Sequence, residues 1–287
     1  MTKIRTSFLA AVLAATQIAT AATHARSAPK DAAATPSPAP LAFVVTTNGD
    51  FSNPISQVGI LDIAGGFFYP LANLTAPPVG IARDADGLLY AIDYHNDLVR
   101  INPLTGKVTI IGPTGLTTPG PVGAAIDVFT SLGTGEMFLL DFQNDLYSVD
   151  KDTGKATRIG STGIPLINTI FYGTSFAGDC NSLYFTVEVD DDNGNTLVPA
   201  TLYKIDPRTG ASKSVGSTAS FMGGSGFIGN KLYGFKIDES LIGGSIGPQV
   251  LGIDVTSGKS STVSNLNVPS LFGGVDLLQP EQSCKAQ

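Results

Sequence analysis

Short runs of alternating apolar and polar residues, separated by Gly, Asn and Asp, recur along most of the chain. One such group consists of Val79–Asp84, Leu88–Asp93, Leu98–Asn102 and Lys107–Gly112. Alternation between turn-forming residues is typical of β-strands that are joined as hairpins. The hydrophobic pattern therefore predicts an all-β chain whose strands are grouped in fours.

The groups repeat, and three landmarks recur at intervals near 47 residues. Each group has an aromatic residue at the start of a strand, at Phe43, Tyr90, Phe138, Tyr184 and Tyr233. A glycine opens the first strand of each group, at Gly80, Gly123, Gly173, Gly223 and Gly273. An acidic or amide turn that ends in Gly occupies residues 102–106, 150–154, 206–210 and 254–258. Repeats of this length with several short strands each are typical of a β-propeller.

The first group lacks its opening strand, and the missing strand lies at the other end of the chain. The group begins at Ala42–Thr47, and Ser270–Leu278 matches the opening strands of the other groups. The sequence therefore predicts a five-bladed β-propeller with four-stranded antiparallel blades, in which the C-terminal strand closes the first blade. Closure of this kind removes the exposed edges of an open stack.

The first 25 residues have the pattern of a secretory signal peptide. Lys3 and Arg5 precede an apolar run from Phe8 to Ala15, and small residues follow as far as Ala25. Residues 26–41 are rich in Ala and Pro and are predicted to be a linker, residues 42–279 the propeller and residues 280–287 a tail. We expect a secreted or periplasmic protein that is monomeric and does not insert into a membrane.

Charge is distributed unevenly between the two faces expected of the ring. Turns after the second and fourth strands of each blade share one face, here called the top face, and the other turns share the bottom face. Eleven of the 24 carboxylates fall in turns after second strands: Asp50, Asp93, Asp97, Asp141, Asp145, Glu188, Asp190, Asp191, Asp192, Asp238 and Glu239. Basic residues of the blades lie in bottom turns and on outer strands: Lys107, Lys151, Lys155, Arg158, Arg208, Lys213 and Lys259. This separation predicts a negative field over the top face.

The formal net charge of −7 narrows the range of partners. It disfavours nucleic acid, which needs a basic footprint. A small molecule, a glycan or a protein is therefore expected. The alternative is that Asp and Asn occur in these turns because their side chains bond to nearby backbone.

Two top-face turns match closely, Asp93-Tyr-His-Asn-Asp97 and Asp141-Phe-Gln-Asn-Asp145. The ligand-binding candidates are Asp93, His95, Asn96, Asp97, Asp141, Asn144, Asp145 and Asp238. Oxygen ligands at this density could hold Ca²⁺, and Asn-Asp could equally close a tight hairpin.

The acidic run of residues 188–195 adds Asp190 and Asp192 to Asp93 and Asp141 as candidate calcium ligands. This run lacks the acid at the twelfth position of a helix-flanked calcium loop and is predicted to be a hairpin extension. No cofactor is expected apart from this candidate calcium.

His95 is the single histidine outside the leader, at the tip of a top-face turn. It could act as a general base only if a carboxylate such as Asp97 or Asp145 oriented it. No catalytic residue other than this candidate is proposed.

Cys180 and Cys284 are the two cysteines of the chain. Cys180 follows the first strand of blade four, and Cys284 follows the closing strand, so both should lie on the bottom face. An oxidising compartment would permit a disulfide between them.

Several phrases resemble a known group of proteins. They are Leu89-Tyr-Ala-Ile-Asp93, Leu202-Tyr-Lys-Ile-Asp-Pro-Arg-Thr-Gly210 and Ile159-Gly-Ser-Thr-Gly163. These phrases are similar to exported bacterial propellers with NHL- or YncE-like repeats. The resemblance implies the propeller fold, and some such proteins are scaffolds while others are lactonase-like hydrolases with top-face metal ligands.

The sequence thus favours a secreted, non-catalytic propeller that binds a ligand or a protein through an acidic top face. Two alternatives stay open. One is a calcium-dependent, lactonase-like hydrolase that uses the two matching turns with His95 as the base. The other is a carbohydrate-binding module, although the chain has no Trp to stack on a sugar.

Overall fold

The structure is a computed structural model that describes residues 40–47, 56–74, 78–93, 95–116, 128–141, 143–165, 171–190, 196–220, 222–236, 248–267, 271–277 and 284. The described ranges contain twenty β-strands. They are β1 (Leu41–Thr47), β2 (Ser56–Asp62), β3 (Phe67–Asn73), β4 (Pro78–Arg83), β5 (Leu89–Asp93), β6 (Asp97–Ile101), β7 (Val108–Pro113), β8 (Val128–Ser131), β9 (Met137–Leu140), β10 (Asp145–Val149), β11 (Ala156–Ser161), β12 (Phe171–Gly178), β13 (Leu183–Asp190), β14 (Thr196–Ile205), β15 (Ser212–Ser217), β16 (Met222–Ile228), β17 (Lys231–Lys236), β18 (Gln249–Ile253), β19 (Ser260–Asn265) and β20 (Leu271–Leu277). None of these residues belongs to a helix long and apolar enough to cross a membrane.

The strands form five antiparallel sheets of four strands each. Their orders from the inside outwards are β20-β1-β2-β3, β4-β5-β6-β7, β8-β9-β10-β11, β12-β13-β14-β15 and β16-β17-β18-β19. The five innermost strands contact one another in a closed cycle, β4, β8, β12, β16, β20 and back to β4. This arrangement confirms the predicted five-bladed β-propeller.

The C-terminal strand closes blade one as the repeat pattern predicted. β20 pairs with β1 in antiparallel register, with Val44 opposite Val275 and Thr46 opposite Phe272. The innermost strand of blade one therefore comes from the end of the chain, and its other three strands come from the beginning.

The aromatic landmarks are core residues between blades. Tyr90, Phe138, Tyr184 and Tyr233 are all at least nine-tenths buried. Phe138 of blade three belongs to one cluster with Phe176 and Phe185 of blade four, whose rings meet edge to face at 6.2 Å. The aromatic repeat is explained by this packing, because each blade must bury one face against the next.

Every outermost strand carries a β-bulge at the same place, which the alternation pattern did not predict. In blade two, Leu98 pairs with Gly112 and Val99 with Ile110, so that one residue of the outer strand has no opposite partner. The extra residues are Leu71, Ile111, Ile159, Val215 and Val263. Bulges increase local twist and interrupt an edge that could otherwise pair with another chain.

The recurring turn that ends in Gly joins neighbouring blades. In blade three, Asp150 Oδ1 accepts the backbone N–H groups of Asp152 and Thr153 at 2.9 and 3.0 Å. Gly154 adopts φ 83°, and a Cβ there would collide with the carbonyl oxygen of Gly112 in blade two. Gly210 and Gly258 approach the preceding blade in the same way. The turn therefore needs glycine both for its left-handed backbone and for a backbone-to-backbone contact.

We expect Gly154→Ala to lower the free energy of unfolding by about 2–3 kcal/mol, because it adds strain at positive φ and a collision between blades. Gly163→Ala is the matched control, since Gly163 also has a positive φ of 65° but nothing lies within 4 Å of its Cβ position. The control should lose only about 1 kcal/mol. Denaturant unfolding of both variants measures the difference, and equal losses would contradict the assigned blade contact.

Three details differ from the sequence pattern or lie outside the described residues. β14 begins at Thr196, directly after the acidic run of residues 188–195, because it pairs with the end of β13 and extends that hairpin. β1 begins at Leu41, one residue earlier than the predicted propeller boundary. At the axis, the recurring glycine at Gly80 lies close to the neighbouring innermost strand, because a Cβ there would lie 3.1 Å from the carbonyl oxygen of Phe129. Gly123 lies outside the described residues.

Candidate functional site

The first top-face turn is built around the carboxylate of Asp93. Its Oδ1 accepts the backbone N–H of His95 at 2.8 Å and that of Asp97 at 3.0 Å. Asn96 stands at φ 61°, a left-handed conformation that Asn tolerates better than most residues. Asp93 is only 5% exposed, so its carboxylate serves mainly to hold this turn.

The second turn repeats the first in blade three. Asp141 Oδ1 accepts the backbone N–H of Gln143 at 2.9 Å and that of Asp145 at 2.8 Å, and Asn144 stands at φ 59°. Asn144 is buried. The shared pattern Asp-x-x-Asn-Asp is therefore the sequence signature of one turn geometry in two adjacent blades.

The two asparagines secure the segment that follows each outer strand. The Asn96 Nδ2 donates to the carbonyl of Leu116 at 3.3 Å, and the Asn144 Nδ2 donates to that of Ile164 at 3.2 Å. The backbone carbonyls of Asn96 and Asn144 accept the backbone N–H groups of Thr114 and Thr162, each at 2.9 Å. Asp93, Asn96, Asp141 and Asn144 of these turns thus have structural hydrogen bonds of their own.

A tyrosine that the sequence analysis missed completes the second turn. Tyr147 donates its hydroxyl to Asp141 Oδ2 at 3.0 Å. Burial, and then the hydrogen bond to Asp141, raise the pKa of Tyr147 to about 12. Burial also raises the pKa of Asp141. The stabilisation linked to the raised tyrosine pKa is complete below pH 10 and is lost as the pH rises through about 12.

Asp145 forms a bidentate ion pair that crosses the expected charge separation. Arg158 Nε lies 2.6 Å from Asp145 Oδ2, and its Nη2 lies 3.0 Å from Oδ1. Arg158 is on the outer strand β11, which is antiparallel to β10, so residues thirteen apart in sequence meet at the top of the blade. A basic residue expected to lie away from the top face therefore neutralises one of its acids.

The tips of these two turns are exposed in the part of the top face that the structure describes. The His95 side chain is 85% exposed, Gln143 of the next blade is exposed, and Asp97 is partly exposed. His95 Nδ1 lies 3.6 Å from Asp93 Oδ2, which is too long for a hydrogen bond. The structure thus places Asp93 nearest to the imidazole, rather than the predicted Asp97 or Asp145.

The remaining acidic candidates give little to the described site. Asp190 ends β13 opposite Thr196, which confirms the hairpin extension; Glu188 is buried. Asp192 and Asp238 lie outside the described residues. Among the residues with described positions, no group of three or more His, Cys, Asp or Glu side chains could hold a metal ion.

The predicted disulfide is confirmed. Cys180 and Cys284 are bonded with their Cα atoms 5.4 Å apart. Cys180 follows β12, the innermost strand of blade four, on the bottom face. The bond therefore ties the segment after the closing strand to a different blade.

Comparisons with known proteins find solved structures that are similar at low sequence identity, and no match by sequence. No protein-family model matches the chain, and no curated protein matches it. TolB from Acinetobacter baumannii is similar with a TM-score of 0.44 and 16% identity, over 80% of this chain and 53% of that one. A structural genomics protein of unknown function from Bacteroides thetaiotaomicron VPI-5482 has a TM-score of 0.41 and 15% identity, over 63% and 53%. The chain spans about half the length of each, and its class, a five-bladed β-propeller, rests on its own sheet topology.

Proposed function

We propose that the protein is exported, either secreted or periplasmic, and acts as a non-catalytic binding module. Its top face takes a cationic small molecule or a basic segment of a protein. The observation that carries the proposal is the pair of matching turns in adjacent blades, each fixed by its own hydrogen bonds and each presenting a polar tip. Rigid turns of this kind bind without a large loss of conformational entropy.

Export is supported by the disulfide between Cys180 and Cys284, because such bonds persist in oxidising compartments and are rare in the cytosol. The leader pattern of residues 1–25 points the same way. Monomeric behaviour is part of the proposal, since a ring closed by its own terminal strand needs no second copy to complete it.

The charge of the proposed face comes from fewer acids than the sequence suggested. Asp145 is paired with Arg158, and Asp93 is buried in its turn. Asp97 also belongs to these turns and is partly exposed. Its carboxylate is neither paired with Arg158 nor buried within the turn. Long-range attraction depends on the summed field, so we expect the effect to be largest at low ionic strength.

The hydrolase and carbohydrate alternatives have less support. No carboxylate among the described residues lies within hydrogen-bond distance of the His95 imidazole, and the Oδ1 atoms of Asp93 and Asp141 hold their own turns. The exposed aromatic residues Phe67 and Tyr69 lie on an outer strand of blade one, away from the two turns. We therefore propose neither function.

The proposal is tested with a fluorescently labelled oligolysine peptide, whose binding is followed by anisotropy at low and high salt. Asp97→Lys should weaken binding several-fold at low salt. Asp86→Lys is the matched control, because Asp86 is exposed in a bottom-face turn of the same blade and the change in net charge is identical. The control should retain most of the affinity.

Equal weakening by both variants would show that only net charge matters and would contradict a specific top face. Absence of binding to the unmodified protein at low salt would reject the cationic ligand. A rise in melting temperature on addition of Ca²⁺ would favour the metal-dependent alternative.

A further inference from the structure

Blade four differs from the other blades at one pair of positions on its two outer strands. Tyr184 of β13 pairs with Lys204 of β14, and Lys204 pairs with Lys213 of β15. The corresponding pairs on the outer strands of blades one, two, three and five are Ile60 and Tyr69, Arg100 and Thr109, Ser148 and Thr157, and Gly252 and Ser261. Among these five pairs, only that of blade four has a positive charge on both residues.

The two lysines lie side by side and are exposed to solvent. Residues paired across antiparallel strands point to the same side of the sheet, with their Cβ atoms about 5 Å apart. The ammonium group of Lys204 lies 5.7 Å from the ring centre of Tyr184, which is buried. Because like charges directly opposite one another destabilise a sheet, a bound anion would relieve an unfavourable contact at this position.

The lysine pair lies at the outer end of the groove between blades four and five. Tyr184 belongs to one core cluster with Leu251 and Ile253 of blade five, so this side of blade four faces blade five. Leu251 and Ile253 pair with Thr262 and Ser260 on the outer strand of blade five. At this level, the opposite wall of the groove therefore carries hydroxyl residues and no acid.

The acids nearest to the pair along the sheet have hydrogen bonds of their own. Asp179 accepts two backbone N–H groups at 2.7 Å each, and it also accepts the hydroxyl of Tyr184. Asp206 Oδ1 accepts a backbone N–H of its own turn at 2.8 Å. In the described part of the chain, no carboxylate lies within ion-pair distance of either lysine.

A third cation lies in the turn that joins β14 to β15. Arg208 is exposed there. The hairpin of residues 201–217 thus carries Lys204, Arg208 and Lys213 against one acid, Asp206, although the whole chain has a net charge of −7. We call these three basic residues the basic hairpin patch.

The class of anion that suits this patch follows from the charges and from their exposure. The negative charge of the whole chain repels a long polyanion such as nucleic acid. One exposed ion pair raises affinity by at most about five-fold, so a small oxyanion held by two lysines binds weakly. A peptide segment with several carboxylates contacts all three cations, and each further contact forms within a segment that is already bound.

We propose that the basic hairpin patch docks an acidic segment of a partner protein. One carboxylate of the segment lies between Lys204 and Lys213, and another pairs with Arg208. The patch belongs to blade four, whereas the two matching top-face turns belong to blades two and three. Its test is therefore independent of the binding proposed for the top face.

The test uses a fluorescently labelled hexaglutamate peptide, whose binding is followed by anisotropy at low salt. The variant Lys204→Ser/Lys213→Thr carries the residue types of blade three at these positions and should weaken binding about five- to ten-fold. Lys107→Ser/Lys155→Thr removes two exposed lysines from blades two and three, so the change in net charge is identical. This matched control should retain most of the affinity.

NMR of the lysine side chains locates the contact. The peptide should shift the side-chain signals of Lys204 and Lys213 and leave those of Lys107 in place. Equal weakening by the two double variants, or absence of binding to the unmodified protein at low salt, would overturn the proposal. Inorganic phosphate that shifts the same two lysines at the same affinity as the peptide would assign the pair to a small oxyanion and would likewise overturn it.

Discussion

A chain that ends after Asn267, and so lacks the closing strand, is expected to fail to form the native propeller. β20 supplies the innermost strand of blade one and also contacts β4 and β16. Its loss leaves β1 with an unpaired edge at the axis and opens the ring between blades one and five. Domains are stable by only about 5–15 kcal/mol, and the loss of a complete inner strand should exceed that margin. Near-ultraviolet circular dichroism and size-exclusion chromatography should show lost tertiary packing and aggregation.

A chain that ends after Leu277 is the matched control. It keeps all of β20 and loses the tail with Cys284. We expect it to fold and to unfold cooperatively, at a lower temperature than the complete chain. Cooperative unfolding of the shorter chain at nearly the same temperature as this control would contradict the role given to the closing strand.

The fold could be predicted because each landmark has a separate physical cause. Tyr90 and Tyr184 recur because every blade packs an aromatic residue against the next, although Phe43 of blade one is only partly buried. Gly154 and Gly210 recur because their turns need a left-handed backbone and touch the preceding blade. The absence of a first strand before Ala42 and its presence after Ser270 then indicated circular closure.

The bulges and the long hairpin of blade four could not be predicted in the same way. Ile111 and Val215 continue an ordinary apolar pattern, and nothing in their immediate sequence separates a bulged strand from a regular one. The bulge becomes necessary only when the outer strand twists around its neighbour. Similarly, the acidic run of residues 188–195 indicated a hairpin extension but not its length, and only the pairing of Val189 with Val198 shows how far the two strands continue.

The residues of the candidate site and their place in the turns could be predicted from the sequence. The hydrogen-bond partners of their side chains could not. The pattern Asp-x-x-Asn-Asp is compatible with a metal ligand set and with a turn, and only coordinates show that the oxygens of Asp93 and Asp141 accept backbone N–H groups. Tyr147 and Arg158 complete the second turn from strands, where sequence analysis considers them core or surface residues. A search for partners across antiparallel pairs, rather than along the chain, could have found them.

Replacement of both Cys180 and Cys284 by Ser is expected to lower the free energy of unfolding by about 3–5 kcal/mol. The bond joins residues 104 apart in sequence, and cross-linking a loop of this length restricts the unfolded chain strongly. It also holds the segment after β20 against blade four, where fraying of the closing strand would begin. For a domain of this size, the melting temperature should fall by roughly 10 °C.

Differential scanning calorimetry with and without a reductant measures this effect and supplies its own control. Reductant should lower the melting temperature of the unmodified protein to that of the double variant and leave the variant unchanged. Cys180→Ser alone should match the double variant, because either replacement removes the single bond. If the double variant has the same melting temperature as the oxidised, unmodified protein, β20 is held by its strand pairing alone. The ring would then need no covalent closure.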